Sequence, residues 1–256
     1  TIADNATALS IDAQNNVYMV GYAKSYNNIS TTGTHQSNHG GGNGDAFIVK
    51  FNSDGIRLWG TYFGGDGNDA ADDVIVDLEN NIYVTGYTHS FTNVSTTDGH
   101  QTTSGGSDFF DMYKEAFLVK FDSNGQILWG TFYGGAADDF GRDLAIDMQN
   151  NVYMTGMTES TNNIATLGSY QDTLNGTYDA FLVKFNTNGV RQWGTYFGGI
   201  NSDKSMDLGI DGQGDIYIAG YTSSDELPTS YGYQPDYGGG SDDGLLVKFN
   251  NNGELL

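Results

Sequence analysis

The stretch YDAFLVKFNTNGVRQWGTYFGG, from Tyr178 to Gly199, holds two short apolar runs on either side of an Asn-Gly turn. This pattern is typical of a β-hairpin. Close copies return as DAFIVKFNSDGIRLWGTYFGG at 45–65 and EAFLVKFDSNGQILWGTFYGG at 115–135, and a fourth copy begins at Asp243. Such a repeat decides the architecture before any single residue is weighed, because each copy must build the same structural unit.

Each repeat offers four runs rich in the β-branched and aromatic residues expected of strands, and no helical periodicity lasts for three turns. The first run ends at an aspartate, the second follows within a few residues, and the quoted hairpin supplies the third and fourth. The sequence therefore predicts an all-β chain, a β-propeller built from four repeats of four antiparallel strands. The expected blades are residues 1–65, 66–135, 136–199 and 200–256, with the last blade lacking most of its outer strand.

The connections between these runs are as regular as the runs themselves. AQNN, LENN, MQNN and GQGD join the first run to the second, and NSDG, DSNG, NTNG and NNNG join the third to the fourth. Their Asn and Gly residues tolerate positive φ, so tight turns are expected. A polar segment of roughly twenty residues separates the second and third runs, and loops of that length are often functional. The long segments and the Gly-Gly connections are expected to share one face.

Composition narrows the classes of partner. The formal net charge is −22, which argues against nucleic acid and anionic membranes because both would be repelled. The chain has no cysteine, so neither disulfides nor thiolate metal sites can stabilise it. There is also no apolar run long enough to span a membrane. High solubility or acquisition of divalent cations fits this composition better.

The fourth repeat lacks one copy of the WGTYFGG run, which leaves its third strand as an open edge. Proteins normally protect such edges. Two explanations remain open at this point. Either the chain belongs to a longer array of repeats, which we favour, or a neighbouring molecule donates the strand and the chain is a filament subunit.

The run GIDGQGDIYIAGYTSSDELPTSYGYQPDYGGGSDDGLLVKFNNNG, from Gly209 to Gly253, resembles the SBBP repeats, a bacterial β-propeller repeat family. The resemblance covers essentially the whole chain, four times over. It implies a propeller on a secreted or cell-surface bacterial protein. It carries over no catalytic residue, because the family has no established active site.

Two recurring positions could gather carboxylates. The first is the acid after each Gly-Gly, at Asp4, Asp69, Asp139 and Asp203; the second is the entry to the first strand, at Asp73, Asp143 and Asp207. If the first strand is innermost, these acids surround the central axis, and clustered carboxylates suit Ca²⁺. The other reading, which we favour, is that each Asp caps its own turn through hydrogen bonds to the backbone.

The long segments share a kernel in which Thr is followed by a flat ring and then by Gln. The ring and amide pairs are His35 and Gln36, His100 and Gln101, Tyr170 and Gln171, and Tyr233 and Gln234. A ring beside an amide is a plausible sugar-binding arrangement. Recurrence in every repeat favours instead a ring that packs on the neighbouring blade and a Gln that bonds loop backbone.

The sequence contains few groups of residues that are typical of a catalytic site. The histidines at 35, 39, 89 and 100 are the only side chains that ordinarily titrate near neutral pH, and no asymmetric pair of acids stands out for glycoside cleavage. Lysines recur once per repeat in the third strand, at 50, 120, 184 and 248, and are expected to point outward or to pair with an acid of the adjacent blade. We therefore expect a non-catalytic structural or adhesive module, with sugar binding and filament assembly as the alternatives.

Overall fold

A computed structural model describes residues 3–106, 113–227, 234 and 236–256. Within these ranges the secondary structure is β-strand, joined by turns and loops, and there is no helix that could cross a membrane. The strands are β1 (Asp4–Ile11), β2 (Val17–Ala23), β3 (Asp45–Phe51), β4 (Arg57–Phe63), β5 (Asp69–Val76), β6 (Ile82–Thr88), β7 (Glu115–Phe121), β8 (Ile127–Tyr133), β9 (Asp139–Ile146), β10 (Val152–Thr158), β11 (Asp179–Phe185), β12 (Arg191–Phe197), β13 (Asp203–Ile210), β14 (Ile216–Thr222) and β15 (Asp243–Phe249).

Each repeat forms one antiparallel sheet in which neighbours in sequence are neighbours in space. The strand orders are β1-β2-β3-β4, β5-β6-β7-β8 and β9-β10-β11-β12, and the fourth sheet has the three strands β13-β14-β15. The predicted all-β class, with its repeated antiparallel sheets, is confirmed. The first strands begin earlier than their apolar runs, because the acids after the Gly-Gly connections already pair with the second strands, as Asp69 does with Thr88.

The four sheets pack face to face in chain order. Their first strands contact one another in succession, β1 with β5, β5 with β9 and β9 with β13. The core of the described chain consists of four apolar clusters, of which three lie between successive sheets and one belongs to the first sheet. Ile48 and Phe63 of the first sheet meet Val84 of the second, and Leu182 of the third sheet meets Ile218 of the fourth. In the described part of the chain the first and fourth sheets do not pack on each other, so a closed ring is not seen.

The tight turns have the expected backbone. Asn15, in the turn between β1 and β2, has a φ of 62°, and Gly125, in the hairpin between β7 and β8, has a φ of 76°. The Gly125 turn also rests on the preceding sheet. The Trp59 indole donates to the Ser123 carbonyl at 3.0 Å, and a Cβ at Gly125 would lie 3.0 Å from the Trp59 ring. This glycine is therefore required both by its φ and by the closeness of the tryptophan.

The long segments after the second strands run along the outer edge of the fourth strands. We call residues 24–44, 89–106 and 159–178 the straps. In the third repeat the Thr166 N–H donates to the Gly194 carbonyl at 2.9 Å, and the Tyr196 N–H donates to the Gln171 carbonyl at 3.0 Å. The first two straps make the equivalent bonds. The straps thus satisfy backbone groups that an outer strand would otherwise expose.

Candidate functional site

The acids that follow the Gly-Gly connections are buried and hold those connections in place. The carboxylate of Asp69 accepts hydrogen bonds from the Gly65 N–H at 3.0 Å, from the Ser90 hydroxyl at 2.8 Å and from the Thr88 hydroxyl. Asp139 and Asp203 accept the same three bonds in their own repeats. This geometry supports the reading of these acids as turn caps.

Asp4 occupies the same position in the first repeat but is exposed. Its carboxylate accepts bonds from the backbone N–H groups of Lys24 at 2.9 Å and Ser25 at 3.0 Å, and from the Ser25 hydroxyl at 2.6 Å. Burial is the largest single effect on this carboxyl and raises its pKa, but the three hydrogen bonds together lower the pKa of Asp4. Asp4 therefore bonds the backbone that leaves β2, some twenty residues further along the chain.

The inner-strand acids link one sheet to the next. They follow a β-bulge, and their carboxylates reach the backbone of the following sheet: Asp73 Oδ2 accepts from the Leu144 N–H at 3.0 Å, and Asp143 Oδ2 accepts from the Leu208 N–H at 2.6 Å. Burial, and then the charge of Asp73, raise the pKa of Asp143. Asp207 lies at the end of this series and is exposed.

The described residues contain no group of three or more His, Asp or Glu side chains arranged to hold a metal ion. The seven aspartates considered for Ca²⁺ therefore fall into two sets. Asp69, Asp139 and Asp203 bond the Gly-Gly turns, and Asp73 and Asp143 bond the backbone of the next sheet. Asp4 bonds Lys24 and Ser25 instead, and Asp207 is exposed. The inner-strand acids do approach one another, since Asp143 is hydrogen-bonded to both Asp73 and Asp207, but their arrangement is not one that could hold a metal ion.

The kernel rings pack on phenylalanines. His35 contacts Phe63 of its own repeat and, edge to face, Phe121 of the next repeat, with ring centroids 6.2 Å and 5.8 Å away. Tyr170 is placed in the same way against Phe197 and Phe249. His100 is exposed on one side while its ring lies edge to face 5.9 Å from Phe185. Burial and the nearby Arg191 lower the pKa of His100 to about 4.

The kernel glutamines bond the straps to the fourth strands. The side-chain Oε1 of Gln171 accepts from the Gly198 N–H at 3.0 Å, and its Nε2 donates to the Thr173 carbonyl at 2.9 Å and to Asp179 Oδ2 at 2.7 Å. Gln36 and Gln101 bond Gly64 and Gly134 in the same way. Tyr233 lies outside the described residues, and Gln234 is exposed with its amide 3.4 Å from the Asp236 carbonyl. In the first three repeats the kernel amides therefore bond the protein itself.

The recurring lysines differ from expectation. Lys120 is buried, lies 3.9 Å from Asp77 of its own repeat, and has its ammonium 4.9 Å from the centre of the Tyr83 ring. Its ammonium also donates to the Thr187 carbonyl in the next hairpin at 3.3 Å. The prediction that these lysines point outward or pair with an acid of the adjacent blade is thus wrong, because the acid beside Lys120 belongs to its own repeat. Its contact with the adjacent sheet is a hydrogen bond to the Thr187 carbonyl, while the carboxylate of Asp77 lies in its own sheet.

A second set of buried acids went unnoticed in the sequence. Asp45, Glu115 and Asp179 open the third strands, and each lies beside the acid after the following Gly-Gly. Burial raises the pKa of Asp45 to about 6 and, with the charge of Asp139, raises the pKa of Glu115 to about 9. Their signal was present in the sequence, because an acid precedes every copy of the third run.

The histidines outside the kernel are also enclosed. The His39 ring stacks near Tyr26, with centroids 4.4 Å apart, and lies edge to face with Tyr62. Its Nδ1 lies 3.5 Å from Asp45 Oδ1, and burial lowers the pKa of the imidazole. His89 has Nδ1 3.2 Å from the Asn68 carbonyl. Both histidines thus contact aromatic rings or backbone of the protein itself.

Comparison with known proteins agrees with this architecture. Residues 58–93, 128–164 and 192–228 match the family model SBBP, the beta-propeller repeat, which confirms the resemblance. The chain is 24% identical, over 90% of its own length, to 20% of an uncharacterised WD repeat-containing protein of Acanthamoeba polyphaga mimivirus. It is 27% identical, over 47% of its length, to 13% of the regulatory protein FlaEY of Caulobacter vibrioides.

The chain therefore spans a fifth or less of these curated relatives. Among solved structures, a protein of unknown function from Bacteroides caccae aligns with a TM-score of 0.48 and 12% identity, over 99% of this chain and 66% of that one.

Proposed function

We propose that the chain is a non-catalytic repeat module of a secreted or cell-surface bacterial protein. Its role is structural or adhesive, and its partners are further sheets of the same repeat type, in the first instance other copies of itself. The single observation that carries this proposal is the composition of its two end faces. Those faces carry the same apolar side chains that are buried at every internal junction between sheets.

The first sheet presents one of these faces. Leu9 is 63% exposed, whereas its equivalents in the second and third repeats, Val74 and Leu144, are 3% and 4% exposed because the preceding sheet covers them. Ile11, next along the same face of β1, is 57% exposed. Burying an aliphatic side chain contributes about 1.5–3 kcal/mol. This face is therefore built to receive a sheet.

The fourth sheet presents the complementary face. Leu246 is 73% exposed, while its equivalents Leu118 and Leu182 are fully buried by the following sheet. Asp207 also belongs to this face, and its equivalent Asp143 bonds the backbone of the next sheet. The exposed face of the first sheet is equivalent to faces that a preceding sheet covers, and the exposed face of the fourth sheet is equivalent to faces that a following sheet covers. Contact between two such faces is head-to-tail packing, which builds rings or filaments.

Self-association of residues 1–256 tests the proposal. Light scattering after size-exclusion chromatography should show concentration-dependent association that Leu246→Asp abolishes, because a charge cannot be buried in that contact. Leu167→Asp is the matched control, since Leu167 is fully exposed on a strap. A stable monomer at all concentrations, or equal association of both variants, would contradict head-to-tail packing.

The proposal of no catalysis rests on how the titratable groups are used. The buried carboxyls bond turns or neighbouring sheets, and the histidines pack against aromatic rings. A set of reacting groups must instead be free to reach a substrate. Turnover of any substrate by the intact chain, lost on substitution of a single side chain, would overturn this part of the proposal.

A further inference from the structure

The junction between the second and third sheets differs from the others in one side chain. β7 begins with Glu115, whereas β3, β11 and β15 begin with aspartate. The extra methylene lets this carboxyl reach further than its equivalents. Glu115 is only 2% exposed, so the change is made inside the protein, where an unneeded charged group is costly.

The two oxygens of Glu115 have different surroundings. Oε1 accepts hydrogen bonds from the backbone N–H groups of Gly105 at 2.7 Å and Gly106 at 3.2 Å. Oε2 is buried and has no hydrogen-bond partner among the described residues. A buried polar atom without a hydrogen-bond partner is rare in native proteins, and a bound ion is one explanation for it.

The free oxygen points toward a second carboxylate. A Cβ built on Gly134 would lie 2.5 Å from Glu115 Oε2 and 2.3 Å from Asp139 Oδ2. Both oxygens therefore converge beside this glycine, less than about 5 Å apart, a separation that two metal–oxygen bonds of about 2.4 Å can span. Any side chain at position 134 would block the approach.

The charge at this point is not balanced by the described protein. Asp139 is fully buried, and neither it nor Glu115 forms an ion pair with a described basic residue. Lys114, next to Glu115 in the sequence, pairs instead with Asp138 at 3.7 Å. Two buried carboxylates this close repel each other unless a cation lies between them or they share a proton.

We propose that the Glu115 and Asp139 carboxylates bind a divalent cation of the calcium type beside Gly134, at the junction of the second and third sheets. Both carboxylates coordinate the cation, and water and backbone carbonyl oxygens complete its coordination shell. Calcium suits the site better than magnesium because its coordination is larger and less regular. The cation fastens β7 to the first strand of the next sheet.

The other junctions explain why one site is expected rather than three. Asp179 has both oxygens engaged, since Oδ1 accepts from the Gly176 N–H at 3.0 Å and Oδ2 accepts from Gln171 and Asn175. Asp45 Oδ1 is also buried without a hydrogen-bond partner, but it lies 3.5 Å from His39 Nδ1 and would pair with that imidazole in its protonated form. Among the described acids that open third strands, Glu115 is the one whose free oxygen lies beside the same glycine as an oxygen of the next acid.

The test uses the intact chain freed of metal by a chelator and then titrated with CaCl₂ in a calorimeter. We expect one site per chain, and calcium should raise Tm. Glu115→Gln should weaken binding at least tenfold and remove the calcium-dependent rise in Tm, because the amide brings no charge. Asp179→Asn is the matched control at the neighbouring junction and should bind calcium as the parent chain does.

Two further results decide the proposal where folding is in doubt. Glu115→Asp keeps the charge but shortens the reach to that of the other repeats, so it should fold and bind calcium more weakly. Terbium luminescence, a probe of oxygen-rich calcium sites, should fall in parallel. No heat of binding at millimolar calcium, or equal binding by Glu115→Gln and the parent chain, would show that the two carboxyls share a proton and hold no metal.

Discussion

Tyr170 belongs to the kernel from which sugar binding was considered, and its surroundings decide between two roles. Its ring is stacked near Phe197, with centroids 6.2 Å apart, and lies edge to face with Phe249 of the following sheet at 5.8 Å. The side chain is 40% exposed, so part of the ring remains open to solvent. Aromatic pairs of this kind contribute about 0.5–1.5 kcal/mol beyond the area they bury.

We predict that Tyr170→Ala lowers the free energy of unfolding by about 2–3 kcal/mol, because it removes both ring contacts across a sheet junction. Urea denaturation followed by tryptophan fluorescence measures this change. Leu167→Ala, at a fully exposed position on the same strap, should leave the stability within about 0.5 kcal/mol. Unchanged stability together with lost glycan binding would restore the sugar-binding reading.

At the residue scale, recurrence in the sequence predicts which positions matter but not what they contact. The aspartates after Gly-Gly could be read as turn caps because Asx side chains commonly bond nearby backbone. The partner of Lys120 could not be deduced, because apolar residues flank it on both sides in the sequence. Its burial against Tyr83 and Asp77 depends on which face of β7 meets its neighbours, and that is decided by the stacking of sheets.

The straps are the elements that set this fold apart from bare stacked sheets. Each is long and polar, yet it is tied along the edge of a fourth strand by backbone bonds such as Thr96 N–H to the Gly130 carbonyl at 2.9 Å. The first strap also reaches the next sheet, where the His35 N–H donates to the Gly125 carbonyl at 3.0 Å. One element thus closes an edge and joins two repeats.

We predict that Gln171→Ala loosens the third strap, because the amide is its link to Gly198 and Asp179. The expected loss of stability is about 1–3 kcal/mol, the cost of leaving buried polar groups unpaired. Limited proteolysis and hydrogen exchange within residues 159–178 should both increase. Gln171→Glu should be at least as harmful near neutral pH, since it places a carboxylate beside Asp179.

The control for the strap is Gln149→Ala, in the exposed turn between β9 and β10. Its protection against exchange should match that of the parent chain. If Gln171→Ala leaves the strap equally protected, the backbone bonds alone hold it, and the kernel amide has another role.

Strands and turns were predictable at this scale because their signals are local. Alternation and β-branched residues predict strands, and Asn80 and Gly189 have the positive φ that their turns require. The path of the straps was not predictable. A polar segment without periodicity bonds through its backbone to an edge that is distant in sequence, and no residue pattern encodes that pairing.

Across the whole molecule, acids are buried at successive junctions between sheets. Burial raises the pKa of Asp69 to about 6 and that of Asp139 to about 7, and it raises the pKa of Glu115 to about 9. Each of these groups holds its proton more tightly in the folded chain than in the unfolded chain. Unfolding therefore releases protons between the usual carboxyl pKa and these raised values.

We predict that, without divalent cations, the free energy of unfolding falls as pH rises from 7 to 9, above the range in which the histidines, whose pKa values are lowered by burial, act in the opposite direction. The sign follows because the folded state binds more protons across that range, and each group contributes at most about 1.4 kcal/mol per pH unit. Thermal unfolding across this range measures the slope. Glu115→Gln, which mimics the protonated acid, should flatten it, whereas Asp54→Asn, at an exposed turn, should not. A slope of opposite sign would mean that the folded protein stabilises these acids as anions.

The number of sheets was predictable from the repeat, and each repeat of the sequence forms one sheet. Closure could not be predicted, because it depends on the angle between packed sheets, which the repeat pattern does not encode. The open ends that result are visible in Leu9 and Leu246, which are exposed although the same positions are buried elsewhere.

The straps have a consequence for how such chains can evolve. Because the outer strand of each complete repeat is sealed by a segment encoded within the same repeat, tandem duplication of the gene segment adds a unit whose rim is already covered. The number of repeats can then change without exposing new unpaired strand edges. Lengthening the array would leave the hazard of fibrous aggregation confined to its two termini.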